Sequence, residues 1–363
     1  MKNTNQLVRT QIKRMREVNW GEIPDNNPYR LLWGENQQPI NVYKNALGDE
    51  IKKINFYPSA TKLGLKEKIA DYNAVNPDSV VLTNGSDEAI ELLAKVFLNS
   101  DDEVIIPSPS YPCFASVSEM MGAKIITVKL EKDFSVDGEK IVNAISRQTK
   151  IIWIANPNNP TGNILLTKIQ IEDLAKKINC ILVVDECYFE LSQVTAAQLV
   201  KKCPNIIVTR SFSKIFGLAG ARLGYIIANE NVTKYLNRLQ QANQVFSVNR
   251  FAYAAGMAIM SDTELIKESI NQFTLLKQSF EKLLQRIPLT VFPTKTTFCL
   301  VKLPDNITGK SLKEKLANEN IFIKDCSLYP NLGKQYIYLG IPKKQYQKIF
   351  IEKMKIALEE LSC

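Results

Sequence analysis

Lys214 stands in the segment Ser211-Phe212-Ser213-Lys214-Ile215-Phe216-Gly217-Leu218-Ala219-Gly220-Ala221-Arg222, shortly after the apolar run Ile206-Ile207-Val208. A buried strand feeding a glycine-rich turn brings two hydroxyls, one amine and one guanidinium to a single spot. Ser211 and Ser213 can donate to phosphate oxygens, and the planar fork of Arg222 matches phosphate geometry. A neighbouring cation and partial desolvation both disfavour an ammonium, so the Lys214 amine is expected to be partly neutral and nucleophilic near neutral pH. Such an amine suits a Schiff base.

Four more stretches place reactive side chains just beyond apolar runs. After Val80-Val81-Leu82-Thr83 the turn Asn84-Gly85-Ser86-Asp87 opens a helix, and Gly85, Ser86 and Asp87 can offer backbone N–H groups to an anion; alone, the motif also reads as a helix cap. After Val104-Ile105-Ile106 the proline-dense loop Pro107 to Pro112 holds Tyr111, either for stacking on a flat heteroaromatic ring or packed on the loop's own prolines. Ile151 to Ile154 runs into Asn156-Pro157-Asn158-Asn159-Pro160-Thr161-Gly162, where Asn159 can donate its amide to a phenolate oxygen and Asn158 is expected to be structural. Ile181 to Val184 delivers Asp185, with Tyr188 three residues on. A carboxylate at the end of a buried strand is costly unless a cation meets it, or unless it caps the next helix.

In these motifs, and over nearly its whole length, the chain resembles the fold-type I pyridoxal phosphate enzymes of aminotransferase class I/II. It is most similar there to histidinol-phosphate aminotransferases. The resemblance implies pyridoxal 5′-phosphate bound to Lys214 as an imine, with the phosphate on Gly85, Ser86, Asp87, Ser211, Ser213 and Arg222, and with Tyr111 on the ring face. It implies Asp185 at the pyridine nitrogen, and Asn159 and Tyr188 at the 3-hydroxyl. Lys214, Asp185 and Tyr188 are then the catalytic residues, Lys214 moving the proton between the substrate's Cα and the cofactor. Phe56-Tyr57-Pro58 alone reads as an ordinary turn, but in the family a tyrosine there crosses a dimer interface to the neighbour's phosphate. A homodimer follows from that reading.

The substrate side departs from the family. The expected Arg-Ile-x-x-Gly segment is Tyr336-Ile337-Tyr338-Leu339-Gly340 here, and an upstream arginine is replaced by Lys324. A tyrosine offers one uncharged donor where an arginine grips an acid group with two. Lys324, and after it Arg30, are the candidate replacements. With both arginines missing, histidinol phosphate itself is not the expected substrate. The reading is an aminotransferase for a small amine or amino acid, with or without a phosphate group, and with a 2-oxo acid as acceptor. The alternatives are a decarboxylase or lyase of the threonine-phosphate decarboxylase kind on the same scaffold, and a binding or regulatory protein that retains the fold without turnover.

Positioning these residues requires an α/β protein whose motifs sit at the carboxyl ends of strands in an open, mostly parallel sheet flanked by helices, which is where ligands bind in such sheets. The 363 residues suffice for a large cofactor-binding domain over 45–262. A smaller α/β domain is expected from residues 1–44 and 263–363, with strands near Leu289–Phe292, Phe298–Val301, Ile321–Ile323 and Tyr336–Leu339.

The 46 basic against 37 acidic residues leave a net charge of +9, but the lysines are scattered, so neither nucleic acid nor a membrane is the expected partner. Histidine is absent, which removes Ser-His-Asp and Cys-His mechanisms and histidine-containing zinc sites; no metal is expected. Seven cysteines without C-x-x-C pairing read as reduced thiols in a cytoplasmic protein. Neither a signal peptide nor an apolar run of the roughly 20 residues needed to span a bilayer is present.

Overall fold

A computed structural model describes residues 8–15, 23, 26–38, 42–58 and 62–362. Of the amphipathic helix expected between Asn5 and Val18, Thr10–Arg14 is helical and the flanks lie outside the described residues.

Seven strands form the main sheet: β1 (Val80–Thr83), β2 (Glu103–Ser108), β3 (Lys124–Lys129), β4 (Thr149–Ala155), β5 (Ile181–Asp185), β6 (Ile206–Ser211) and β7 (Gly224–Ile227). Their order is β1-β7-β6-β5-β4-β2-β3, and β7 alone runs antiparallel to its neighbours. The central strands are continuous apolar runs because both faces are covered. Their side chains alternate between two cores. Trp153, Val183, Ile207 and Ile226 pack with Ile90, Leu93 and Phe114 on one side, while Ile152, Val184 and Val208 join the larger core on the other.

Register explains how distant motifs meet. Thr83 pairs with Gly224, Gly224 with Ser211, Thr209 with Asp185, and Asp185 with Ala155. Four motifs therefore leave the sheet along one edge.

A second, antiparallel sheet has the order β10-β11-β9-β8, from β8 (Thr290–Val291), β9 (Phe298–Lys302), β10 (Lys324–Asp325) and β11 (Tyr336–Gly340). The strand expected at Ile321–Ile323 is displaced. Phe322 bridges Arg30 instead, and the sheet takes up the chain only at Lys324, opposite Tyr338. Leu31 is the reason: its N–H donates to Phe322 O at 2.8 Å and its carbonyl accepts from Gly340 N, so the N-terminal segment supplies the partner that Phe322 lacks. The following residues lead Trp33, Gly34 and Glu35 toward Lys214.

Candidate active site

The phosphate end of the site is set by a close backbone approach. Gly224 opens β7 directly beneath the start of the helix Gly85–Phe97, and a Cβ there would lie 2.6 Å from the Gly85 carbonyl carbon and 2.7 Å from Ser86 N. Gly85 has φ +77°, a conformation glycine adopts without strain, and a Cβ on it would meet Arg222 Nη2 at 2.6 Å. Only glycine at both positions lets the helix N-terminus, Ser211, Ser213 and Arg222 share one cradle. Arg222 Nη2 donates to Asp87 Oδ2 at 2.9 Å, and its Nη1 contacts Ser213 Oγ at 3.4 Å and Ala219 O at 3.2 Å. Asp87 also accepts from Tyr111 Oη at 2.9 Å, which ties the loop tyrosine to the cradle. Tyr111 stands edge-on to Phe114, itself stacked on Trp153.

Lys214 emerges from the turn after β6. Its Nζ donates to Trp33 O at 3.0 Å and lies 5.5 Å from the Tyr188 ring centroid. Burial pulls its pKa below the ordinary lysine value, against the attraction of Cys187, Glu35, Asp87 and Asp185. Asp185 is buried and meets neutral donors, the Thr209 hydroxyl at 2.9 Å and Cys187. Desolvation pushes its carboxyl up to about 6, opposed by those hydrogen bonds. Glu186, next in sequence, points the other way into a fully buried ion pair with Arg210 at 2.6 Å, braced by Thr195. That pair pins the turn carrying Asp185.

The wall opposite comes from the small sheet. Tyr188 is buried edge-on to Phe298, and its phenol titrates well above the usual value because burial disfavours the phenolate. Tyr338, stacked on Phe298 with 4.1 Å between centroids, hydrogen-bonds with Tyr188. Lys324 donates to Tyr329 Oη at 2.7 Å and lies 5.9 Å from the Tyr338 ring; burial first, and repulsion from Lys214 as well, lower its pKa. Asn159 meets Tyr329 Oη at 3.4 Å through Oδ1. Asn158 is structural as expected, donating to Pro109 O and Thr161 Oγ1.

Lys214, Asp185, Tyr188, Asn159, Tyr111 and the cradle thus converge. Tyr57 stands apart, 74% exposed and stacked on Phe246. Tyr336 lies two residues before Tyr338 on β11, packed near Phe134 and Phe292. Arg30 is engaged by Glu35 at 3.0 Å and lies over the Trp33 ring. Sequence reasoning missed Tyr329, Tyr338, Thr209 and Cys187. Thr209 and Cys187 flank named motifs and were legible by proximity, but nothing local distinguishes the two tyrosines.

The model of the family described as aminotransferase class I and II matches residues 25–333. The chain belongs to this family. The histidinol-phosphate aminotransferase of Thermoanaerobacter pseudethanolicus is 35% identical over 331 residues, covering 88% of this chain and 90% of that protein. The crystal structure of the histidinol-phosphate aminotransferase from Clostridium acetobutylicum aligns with a TM-score of 0.82 at 25% identity, covering 91% of this chain and 98% of that one. The Sinorhizobium meliloti histidinol-phosphate aminotransferase, crystallised with pyridoxal 5′-phosphate, has the same fold, with a TM-score of 0.86, 20% identity and 97% coverage of both chains. This aminotransferase accordingly uses pyridoxal phosphate to pass an amino group from an amino donor to a keto acid.

The residues of the site suit that cofactor. The glycine-lined cradle admits a phosphate at a helix N-terminus, and the buried Asp185, met by neutral donors, suits a protonated pyridine nitrogen. Among the described residues no helix is long and apolar enough to cross a membrane, and no group of metal-ligating side chains is present.

Proposed function

We propose that Lys214 carries the cofactor and that the amino donor is a phosphorylated primary amine of the histidinol phosphate kind. The observation that carries the substrate half is Lys324, a half-buried lysine whose charge is felt by Lys214. The loss of both family arginines counted against histidinol phosphate in the sequence. The placement of Lys324 supports a cation on the substrate wall, and the name shared by the curated relatives favours a phosphorylated amine.

The cofactor supplies an electron sink for the pair left at the substrate's α-carbon. Ser211, Ser213, Arg222 and the N–H groups of Gly85, Ser86 and Asp87 would hold its phosphate, with Tyr111 against its ring. Asp185 would keep a proton on the pyridine nitrogen, and Asn159 and Tyr188 would donate to the phenolic oxygen. Lys214, whose ammonium form burial disfavours, would take the α-proton and return it one position away. Trp33 O accepts from that amine at 3.0 Å.

Steady-state turnover of histidinol phosphate and of its dephosphorylated counterpart tests the proposal. The phosphorylated amine should have a kcat/KM about 10- to 100-fold higher, as loss of a charge-assisted hydrogen bond implies. Lys324→Ala should erase most of the difference. Equal use of both amines, or carbon dioxide release without amino transfer when a phosphorylated amino acid is offered, would overturn it.

The working unit in this proposal is a homodimer, with Tyr57 reaching the partner's phosphate. Tyr57 shares its surface with exposed Ile51, Ile54, Phe56 and Val245, an apolar area of the kind a partner covers. Arg250 steadies it, donating to the Phe56 and Tyr57 carbonyls while paired with Glu50. Mixing inactive Tyr57→Phe and Lys214→Ala chains should regain activity, up to about a quarter of wild type if chains assort at random in a two-fold dimer. Activity no higher than the unmixed controls would place Tyr57 within its own site. The same reading divides the chain into a large domain, 45–262, and a small one from 1–44 and 263–363, supported by the bridge from Arg30 to Phe322. It places the enzyme in the cytoplasm, in keeping with six free cysteines among the described residues.

A further inference from the structure

Tyr329 belongs to no motif, yet its hydroxyl joins two parts of the site. Lys324 Nζ lies 2.7 Å from Tyr329 Oη, and Tyr329 Oη lies 3.4 Å from Asn159 Oδ1. The phenol is 5% exposed. Its loop is fastened to the large sheet, with Pro330 O accepting from Ser108 Oγ at 3.1 Å and Asn331 Nδ2 donating to the same hydroxyl at 3.1 Å.

Donor and acceptor chemistry gives this chain of groups a direction. Lys324 Nζ donates to the Tyr329 oxygen. The single phenolic proton is then directed to Asn159 Oδ1. A primary amide has its acceptor on one side and its two donors on the other, so engaging Oδ1 turns the Asn159 NH₂ away from Tyr329. That leaves the NH₂ for the cofactor's phenolic oxygen.

We propose that Tyr329 is a positioning residue that, oriented by Lys324, holds the Asn159 amide with its NH₂ toward the phenolic oxygen. This rests on the reading of Asn159 given above. Lys324 Nζ can hold Tyr329 in place and still offer an N–H to an anionic substrate group. The side chain that faces the substrate is thereby linked to the electronic state of the cofactor.

A donor to the phenolic oxygen favours its ionised form, and the proton shared between that oxygen and the Lys214 nitrogen is held less tightly. Losing the donor should raise the midpoint at which the bound cofactor's visible absorbance titrates. The experiment follows that absorbance against pH in wild-type holoenzyme, Asn159→Ala, Tyr329→Phe, Lys324→Met and the Asn159→Ala/Tyr329→Phe double variant. Asn159→Ala and Tyr329→Phe should each raise the proton affinity by about three- to tenfold, the range expected for one hydrogen bond. Lys324→Met should shift it in the same direction by less, and serves if Tyr329→Phe does not fold. The double variant should shift no further than Asn159→Ala alone, because both act through one amide. A purely structural role for Tyr329 would lower the melting temperature and leave the midpoint unmoved. If Asn159→Ala raises the midpoint while Tyr329→Phe and Lys324→Met do not, the inference is overturned and the role of Asn159 stands. If Asn159→Ala itself has no effect, the underlying reading of Asn159 fails as well.

Discussion

Lys214→Ala should lower turnover by at least about 10³-fold, since it removes both the covalent anchor for the cofactor and the base at the α-carbon. Borohydride treatment should fix cofactor to the wild-type chain and leave the variant unlabelled. Cofactor should still bind the variant reversibly, because the cradle of Ser211, Ser213, Arg222 and the helix N-terminus does not depend on the amine. Fold loss is distinguishable from lost chemistry. Burial already disfavours the Lys214 ammonium, so removing it takes away a desolvation cost, and the cofactor-free variant should melt no lower than the cofactor-free wild type. Label retained on Lys214→Ala would move the anchor to another lysine.

Asp185→Asn should reduce turnover by on the order of 10²- to 10³-fold, the scale of losing one preorganised charge at a reacting system. An amide cannot balance a pyridinium, so the electron sink weakens while the phosphate contacts persist. A pH signature accompanies the loss. The Asp185 carboxyl is pushed up to about 6 by desolvation, from an ordinary value of 3.8. A raised folded-state value means that the cofactor-free protein binds the proton more tightly than the unfolded chain. This contribution to stability is complete below about pH 4 and is lost as pH rises through about 6. Bound cofactor should offset that loss by giving the ionised carboxylate a cationic partner. The rise in melting temperature on adding cofactor should therefore grow between about pH 4 and pH 6 in the wild type. In Asp185→Asn that growth should be absent. Wild-type turnover by the variant, or an unchanged pH dependence of its cofactor response, would remove Asp185 from the ring nitrogen.

The side of the site built on the seven-stranded sheet was legible because its chemistry is local. Each motif follows an apolar strand, and a parallel sheet brings the carboxyl ends of such strands to one edge. Gly85 and Gly224 were visible as glycines, but that their backbones touch follows from the pairing of Thr83 and Ser211 on either side of Gly224. The side built on the four-stranded sheet was read less completely. Lys324 was named as a replacement cation, whereas Tyr338 passed as part of a strand and Tyr329 as loop. The strand placed at Ile321–Ile323 was displaced because Leu31, nearly three hundred residues earlier, occupies its hydrogen bonds.

From sequence alone came the family, the α/β class, the lysine in its phosphate cradle and the aspartate that needs a cation. These depend on residue types within a few positions of one another and on apolar runs whose periodicity shows on the chain itself. Only the tertiary structure decided which polar groups meet at the site: Tyr329 meets Asn159 across 170 residues, Lys214 meets Trp33 O across 181, and Lys324 donates to Tyr329. Such contacts are set by how two sheets and an N-terminal segment pack, and a side chain's partner and protonation depend on what surrounds it in space rather than on what stands beside it in sequence.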